Sequence, residues 1–323
     1  MAQQTDAATP AETGADFEIG PELFARVRQI QLRTRRAVSN ALAGAYKSTF
    51  RGSGLEFDTV REYEVGDDIR SIDWKVTART DKPHIKTFVE ERQLSLVLLV
   101  DASASMDFGS ARATKRELSA ELVALLGHVA ILEQDQVAFA SFGGARELWV
   151  PPARSPSLIL RLVREVLAAE PAREPGADPH AALARALQEL ELRLRRRAMV
   201  FVVSDWLMPL DAAARERWLG TLKRLARRHD LIAVRVHDPL EEALPDAGLV
   251  AWLDAESGRR VEIDTSSAKL RAAWAAAATV RRNRWLEDLG RAGAGTLELS
   301  THKSPVDPIV RFFHARLRRG GRG

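Results

Sequence analysis

The chain has 323 residues, 46% of them apolar, enough for one large or two ordinary domains with a sizeable core. It has no cysteine, which excludes disulfides and thiolate metal sites and fits a reducing cytoplasm. The net charge is only +4, no apolar run reaches 18 residues, and the polar first 20 residues carry no secretory h-region, so a cytoplasmic chain with a disordered tail over 1–20 and no membrane span is expected.

Residues 21–45 carry Leu23, Val27 and Ile30 at helical spacing, and the two glycines of "KSTFRGSGLEF" end that pattern. Residues 55–92 hold short β-like runs, "TVREYEV" and "HIKTFVEE", around turn signals at Gly66-Asp67-Asp68 and Lys82-Pro83. The expectation is an N-terminal helix and a small β-rich module over 21–93, and a main domain over 94–318. A basic tail then closes the chain at 319–323.

The main domain opens on "LSLVLLV". Its unbroken run from Leu96 to Val100 is the signature of a central strand buried on both faces. Leu118, Leu122, Leu125, Val129 and Leu132 then mark a helix. "QVAFASF" and "ELWVPP" read as strands. Ser155-Pro156 and Asp178-Pro179 are cap and first-turn pairs that open helices over 156–168 and 179–196. "AMVFVV", a helix over 211–228, the strand "LIAVRVH", a hairpin over 249–264, a helix over 267–290, the strand "GTLELS" and a last helix begun by Ser304-Pro305 complete the order. Strands alternating with helices predict an α/β fold, a doubly wound, mostly parallel sheet.

In such sheets ligands bind at the carboxyl edge, where strand order reverses. One apolar strand ends at Asp101, followed by Ser103 and Ser105, and another ends at Ser204-Asp205. Residues two apart in an extended segment project to one side, so the three oxygen-bearing side chains after the first strand can converge. If the two strands are neighbours, the resulting all-oxygen site suits a hard divalent cation, above all Mg²⁺.

From residue 94 onward the chain resembles a von Willebrand factor A domain. Its D-x-S-x-S element matches Asp101, Ser103 and Ser105, and its later aspartate matches Asp205. The resemblance implies a metal-ion-dependent adhesion site in which a partner's carboxylate completes the coordination. The family's loop threonine is replaced by Ala177, with Asp178 beside it as a substitute ligand or simply a helix cap. Residues 52–92, with "REYEVGDD", "IRSIDW" and "TAR", resemble the signature of an uncharacterised bacterial family that pairs this module with a von Willebrand A-like domain. That resemblance implies a MoxR-type AAA+ ATPase, or a client it remodels, as partner. Arg61, Asp67, Asp68, Arg70, Asp73, Lys75 and Arg79 then form either a docking face for the ATPase or a salt-bridged surface packed against the α/β domain around Trp74.

Other chemistries find less support. Position 103 is a serine where acyl-phosphate phosphatases would place a second aspartate, which leaves a metal-dependent phosphohydrolase as the alternative to a non-enzymatic interaction module. No G-x-S-x-G, Gly-Lys-Ser/Thr or paired-histidine spacing occurs. His180 could point at the site, but a first-turn surface histidine is the commoner role. The basic stretches 26–36 and 315–323 lack an aromatic platform, so nucleic acid is not the expected partner.

Overall fold

The computed structural model describes residues 21–37, 42–46, 55–64, 67–68, 71–80, 82–90, 95–172, 178–207, 212–255 and 258–320. Helix α1 spans Pro21–Ala37 and residues 42–46 are helical, as the apolar spacing predicts; 38–41 lie outside the described residues. Strands β1 (Leu55–Glu62) and β2 (His84–Glu90) pair antiparallel, with a short helix α2 (Trp74–Thr80) between them. That helix falls where the sequence reads only as β-like. Asp73 starts it, its carboxylate accepting the Lys75 amide at 2.9 Å.

The main sheet comprises β3 (Ser95–Asp101), β4 (Gln136–Phe142), β5 (Trp149–Ala153), β6 (Ala198–Ser204), β7 (Asp230–His237) and, farther along the chain, the strand Gly295–Ser300. Between them run α3 (Lys115–Leu132), α4 (Pro156–Leu167), α5 (Pro179–Arg193), α6 (Ala212–Arg228) and the single turn α7 (Pro239–Glu242). The predicted hairpin is β8 (Leu249–Leu253) with β9 (Arg260–Asp264). Helix α8 (Ala268–Ala292), strand β10 (Gly295–Ser300) and helix α9 (Val306–Gly320) complete the chain.

The strand order is β10-β7-β6-β3-β4-β5, parallel except for β5. Order reverses at β3, which lies between β6 and β4, so the predicted switch point exists. The antiparallel β5 is an edge strand, where Pro151 and Pro152 cost no ladder hydrogen bond to a further neighbour.

Strand periodicity divides the core into two layers. Leu96, Leu98 and Val100 face a cluster that includes Leu118, Leu122, Leu162 and Phe313, while Val97 and Leu99 face Leu187, Leu222 and Leu289. Both faces are covered by helices, which is why β3 carries no alternation. Ile30, Leu42 and Tyr46 belong to the first cluster, and Tyr46 donates its buried hydroxyl to Asp135 at 2.9 Å. The N-terminal helical segments therefore share the core of the α/β domain.

Candidate functional site

Asp101 ends β3 and is buried. Its Oδ1 accepts the Ser103 amide at 2.9 Å, and its Oδ2 accepts the Ser204 hydroxyl, from the end of neighbouring β6, at 2.6 Å. The Ser103 and Ser105 hydroxyl oxygens lie 3.2 Å apart, held by a 3-10 turn over Ala104–Asp107. Burial, then the nearby charge of Asp205, pushes the Asp101 carboxyl up to about 6, against the hydrogen bonds of Ser103 and Ser204. The two aspartates and the serines meet at one edge of the sheet.

Gly143, just beyond β4, makes room for this arrangement. Its φ is +74°, and a Cβ there would stand 3.2 Å from Asp101 Oδ1. Only glycine meets both the left-handed backbone and the close approach without strain.

Two cations missed by the sequence reading brace the site from the first turn of α3. Lys115 is fully buried, its Nζ 2.5 Å from Asp205 Oδ2 and 2.6 Å from Glu241 Oε1. Burial alone would favour its neutral form, but the charges of Asp205 and Glu241 outweigh it and raise its pKa above the ordinary lysine value. Burial also raises the Glu241 carboxyl, against the pull of Lys115. Arg116 pairs with Asp107 and donates to the Ser103 carbonyl at 3.1 Å, fixing the loop that carries the serines. The local signal was weak: a helix start mildly favours acidic residues, so Lys-Arg there is unfavourable without pointing to any partner.

Beyond Asp205 the chain turns sharply. Trp206 has φ of +57°, its amide donates to Ser204 Oγ at 3.1 Å, and the Leu207 amide donates to Asp205 Oδ1 at 3.0 Å. The Trp206 indole donates to the Val234 carbonyl at 2.9 Å and packs beside Trp218 and Trp285. It thus anchors the turn on the core. Asp178 caps α5 through the His180 amide at 2.9 Å and its other oxygen meets Arg217 at 3.1 Å. His180 is buried and accepts from the Trp218 indole at 3.0 Å, in place of the exposed first-turn position expected. Ala177 lies outside the described residues.

In the signature module, Arg61 grips both oxygens of Asp67 at 2.8 and 2.7 Å, and that hydrogen bonding holds the Asp67 carboxyl below its ordinary value. Asp73 is the cap of α2, while Asp68, Lys75 and Arg79 are exposed. Arg70 lies outside the described residues. Trp74 is 69% exposed, so it is not the centre of a packed surface against the α/β domain.

No three histidine or acidic side chains among the described residues form a metal cage. Two carboxylates and two hydroxyls nonetheless make an oxygen-only donor set. Asp101 accepts the Ser103 amide on Oδ1 and the Ser204 hydroxyl on Oδ2, and the Ser103 side chain adds a third hydrogen bond to the carboxylate. This set fits a cation that keeps several of its waters.

A six-stranded sheet of this order, with D-x-S-x-S and a second aspartate at its carboxyl edge, defines a von Willebrand A-like domain. The chain belongs to the family described as "protein of unknown function DUF58", whose model matches residues 59–284. An uncharacterised protein of Mycobacterium tuberculosis and one of Mycobacterium bovis are each 34% identical over 300 residues, 92% of this chain and 91% of theirs. Among solved structures, an aerotolerance-related membrane protein from Bacteroides fragilis aligns over 70% of this chain and 99% of its own, at 14% identity and a TM-score of 0.43. The VWA domain of SpRpn10 aligns over 67% and 94%, at 13% identity and a TM-score of 0.39. The strand order carries the fold assignment. No helix among the described residues is long and apolar enough to cross a membrane.

Proposed function

We propose that the protein is a non-enzymatic interaction module. It binds a partner through a Mg²⁺-dependent, adhesion-like site formed by Asp101, Ser103, Ser105 and Asp205. The supporting observation is a charge imbalance. Asp101, Asp205 and Glu241 are buried at one edge with a single buried ammonium, Lys115, between the last two. Arg116, the other nearby cation, spends its charge on Asp107. A buried excess of negative charge is costly unless a proton or a cation offsets it. When bound, the cation offers an open coordination position to a carboxylate of the partner. Ser204 and the Ser103 amide orient Asp101, while Lys115 and the Leu207 amide orient Asp205. Asp178, engaged by α5 and Arg217, is left out of the set.

The partner this reading favours is a MoxR-type AAA+ ATPase or its client, as the signature module implies, in protein remodelling or complex maturation. The large exposed Trp74 and the charged Arg79 share α2, and tryptophan and arginine are enriched where protein surfaces meet. Calorimetric titration of the purified chain with a MoxR-type ATPase from the same genome, in Mg²⁺ and in EDTA, tests the proposal. Binding in Mg²⁺ that is lost in EDTA and in Asp101→Ala is expected. Equal binding by the Ala variant would remove the site from the mechanism.

A further inference from the structure

Because β10, β7, β6, β3 and β4 run parallel, the end of the sheet opposite Asp101 is where α5 and α6 finish and where β6 and β7 begin. Several contacts draw that rim together. Arg224 donates to both oxygens of Glu191, at 2.8 and 2.9 Å, joining α6 to α5. The Ala198 amide donates to His229 Nδ1 at 3.3 Å. Burial, then the charges of Arg228 and Arg197, holds His229 below its ordinary value. Arg316, near the end of α9, donates to both oxygens of Asp230 at 2.6 and 2.7 Å and brings the basic C-terminal turn to the same rim.

The rim exposes Arg195, Arg196, Arg197, Lys223, Arg227 and Arg228. Glu189 and Glu191 are matched with Arg193 and Arg224, and no carboxylate among the described residues pairs with Arg195, Arg197, Lys223, Arg227 or Arg228. Arg227 and Arg228 complement the dipole of α6 in its last turn. That account does not reach Arg195–Arg197, which lie beyond the C-cap of α5 at Leu194. Just before that cap stands Leu192, 81% exposed.

Cationic side chains around an exposed leucine are suited to a bilayer surface. The charges draw anionic headgroups, and the apolar side chain enters the boundary below them. Neither 191–197 nor 223–230 carries Phe, Tyr or Trp on which a nucleic-acid base could stack. We propose that this rim docks the protein on an anionic lipid bilayer, leaving the Asp101–Asp205 edge turned away from the membrane and open to a partner.

The test is co-sedimentation of the full chain, in EDTA, with vesicles of phosphatidylcholine alone or mixed with phosphatidylglycerol, at low and high salt. EDTA removes any tether through a bridging cation, so the result is independent of the metal proposal. Wild-type protein is expected to pellet only with the mixed vesicles and to be released by salt. The triple variant R195A/R196A/R197A should bind about a hundredfold more weakly, and Leu192→Ser severalfold more weakly at unchanged charge. All these side chains are exposed, so thermal melts of the variants should match the wild type. Three results would each overturn the proposal: wild-type protein that stays in the supernatant, a triple variant that pellets as well as wild type, or unchanged binding by Leu192→Ser. Binding of a DNA or RNA duplex in the same buffer, with the same loss in the triple variant and no vesicle binding, would reassign the rim to nucleic acid.

Discussion

Lys115 Nζ lies 2.5 Å from Asp205 Oδ2, two side chains 90 residues apart in the chain and both buried. With Glu241 Oε1 at 2.6 Å on its other side, the one ammonium pairs with two buried carboxylates. Lys115→Met strands both, and breaking a buried pair from one side costs about 3–5 kcal/mol. Urea denaturation should show that loss. The double variant K115M/E241M, which strands one carboxylate instead of two, should recover part of it. Equal stability of Lys115→Met and wild type would mean that the ammonium is not buried in solution.

The raised pKa of Asp101 gives stability a definite sign with pH. The free carboxyl titrates near 3.8 and the folded one at about 6. Between those values the folded chain keeps a proton that the unfolded chain has released, so stability falls as pH rises. The contribution is complete below the unfolded value and lost as pH passes about 6, on the order of 3 kcal/mol in EDTA. Asp101→Asn should flatten this segment of the stability–pH curve. Mg²⁺ should restore stability above about pH 6 in the wild type and leave the Asn variant unmoved. A curve of equal slope in both proteins would contradict the assignment.

Gly143→Ala places a methyl group 3.2 Å from Asp101 Oδ1 at a φ of +74°. The backbone penalty is about 1 kcal/mol or more. The expected phenotype is a modest loss in denaturant midpoint together with a weaker Mg²⁺-induced shift in Tm. A variant that loses stability but keeps the full Mg²⁺ response would show that the methyl group disturbs the strand end and not the carboxylate.

Tyr46→Phe removes a buried hydrogen bond to the Asp135 carboxylate. A cost of about 1–3 kcal/mol is expected, read as a single, earlier unfolding transition. Two separate transitions would mean that the N-terminal helices fold apart from the α/β core.

The sheet was legible because its physics is local. Leu96 to Val100 reads as doubly buried whatever surrounds it, and Asp178-Pro179 starts a helix on its own chemistry. Asp101, Ser103, Ser105 and Asp205 stood out as polar residues directly after such runs, and the structure brings them to one edge. Lys115 and Glu241 were not legible, since nothing local distinguishes a buried lysine at a helix start from a solvated one, and its partners come from 90 and 126 residues away. Helix α2 was missed because its seven residues sit between two strands and include Val76, Thr77 and Thr80, whose propensity favours strands. The capping carboxylate of Asp73 decides the matter locally.

Phe108 sets its ring 5.4 Å from that of Trp252 in β8, and its carbonyl accepts the Lys115 amide at 2.9 Å. The hairpin is therefore mechanically joined to the loop that bears the serines. Trp252 is then a built-in optical gauge. With the chain's other six tryptophans replaced by phenylalanine, its emission would follow any rearrangement of that loop directly, with no dye attached.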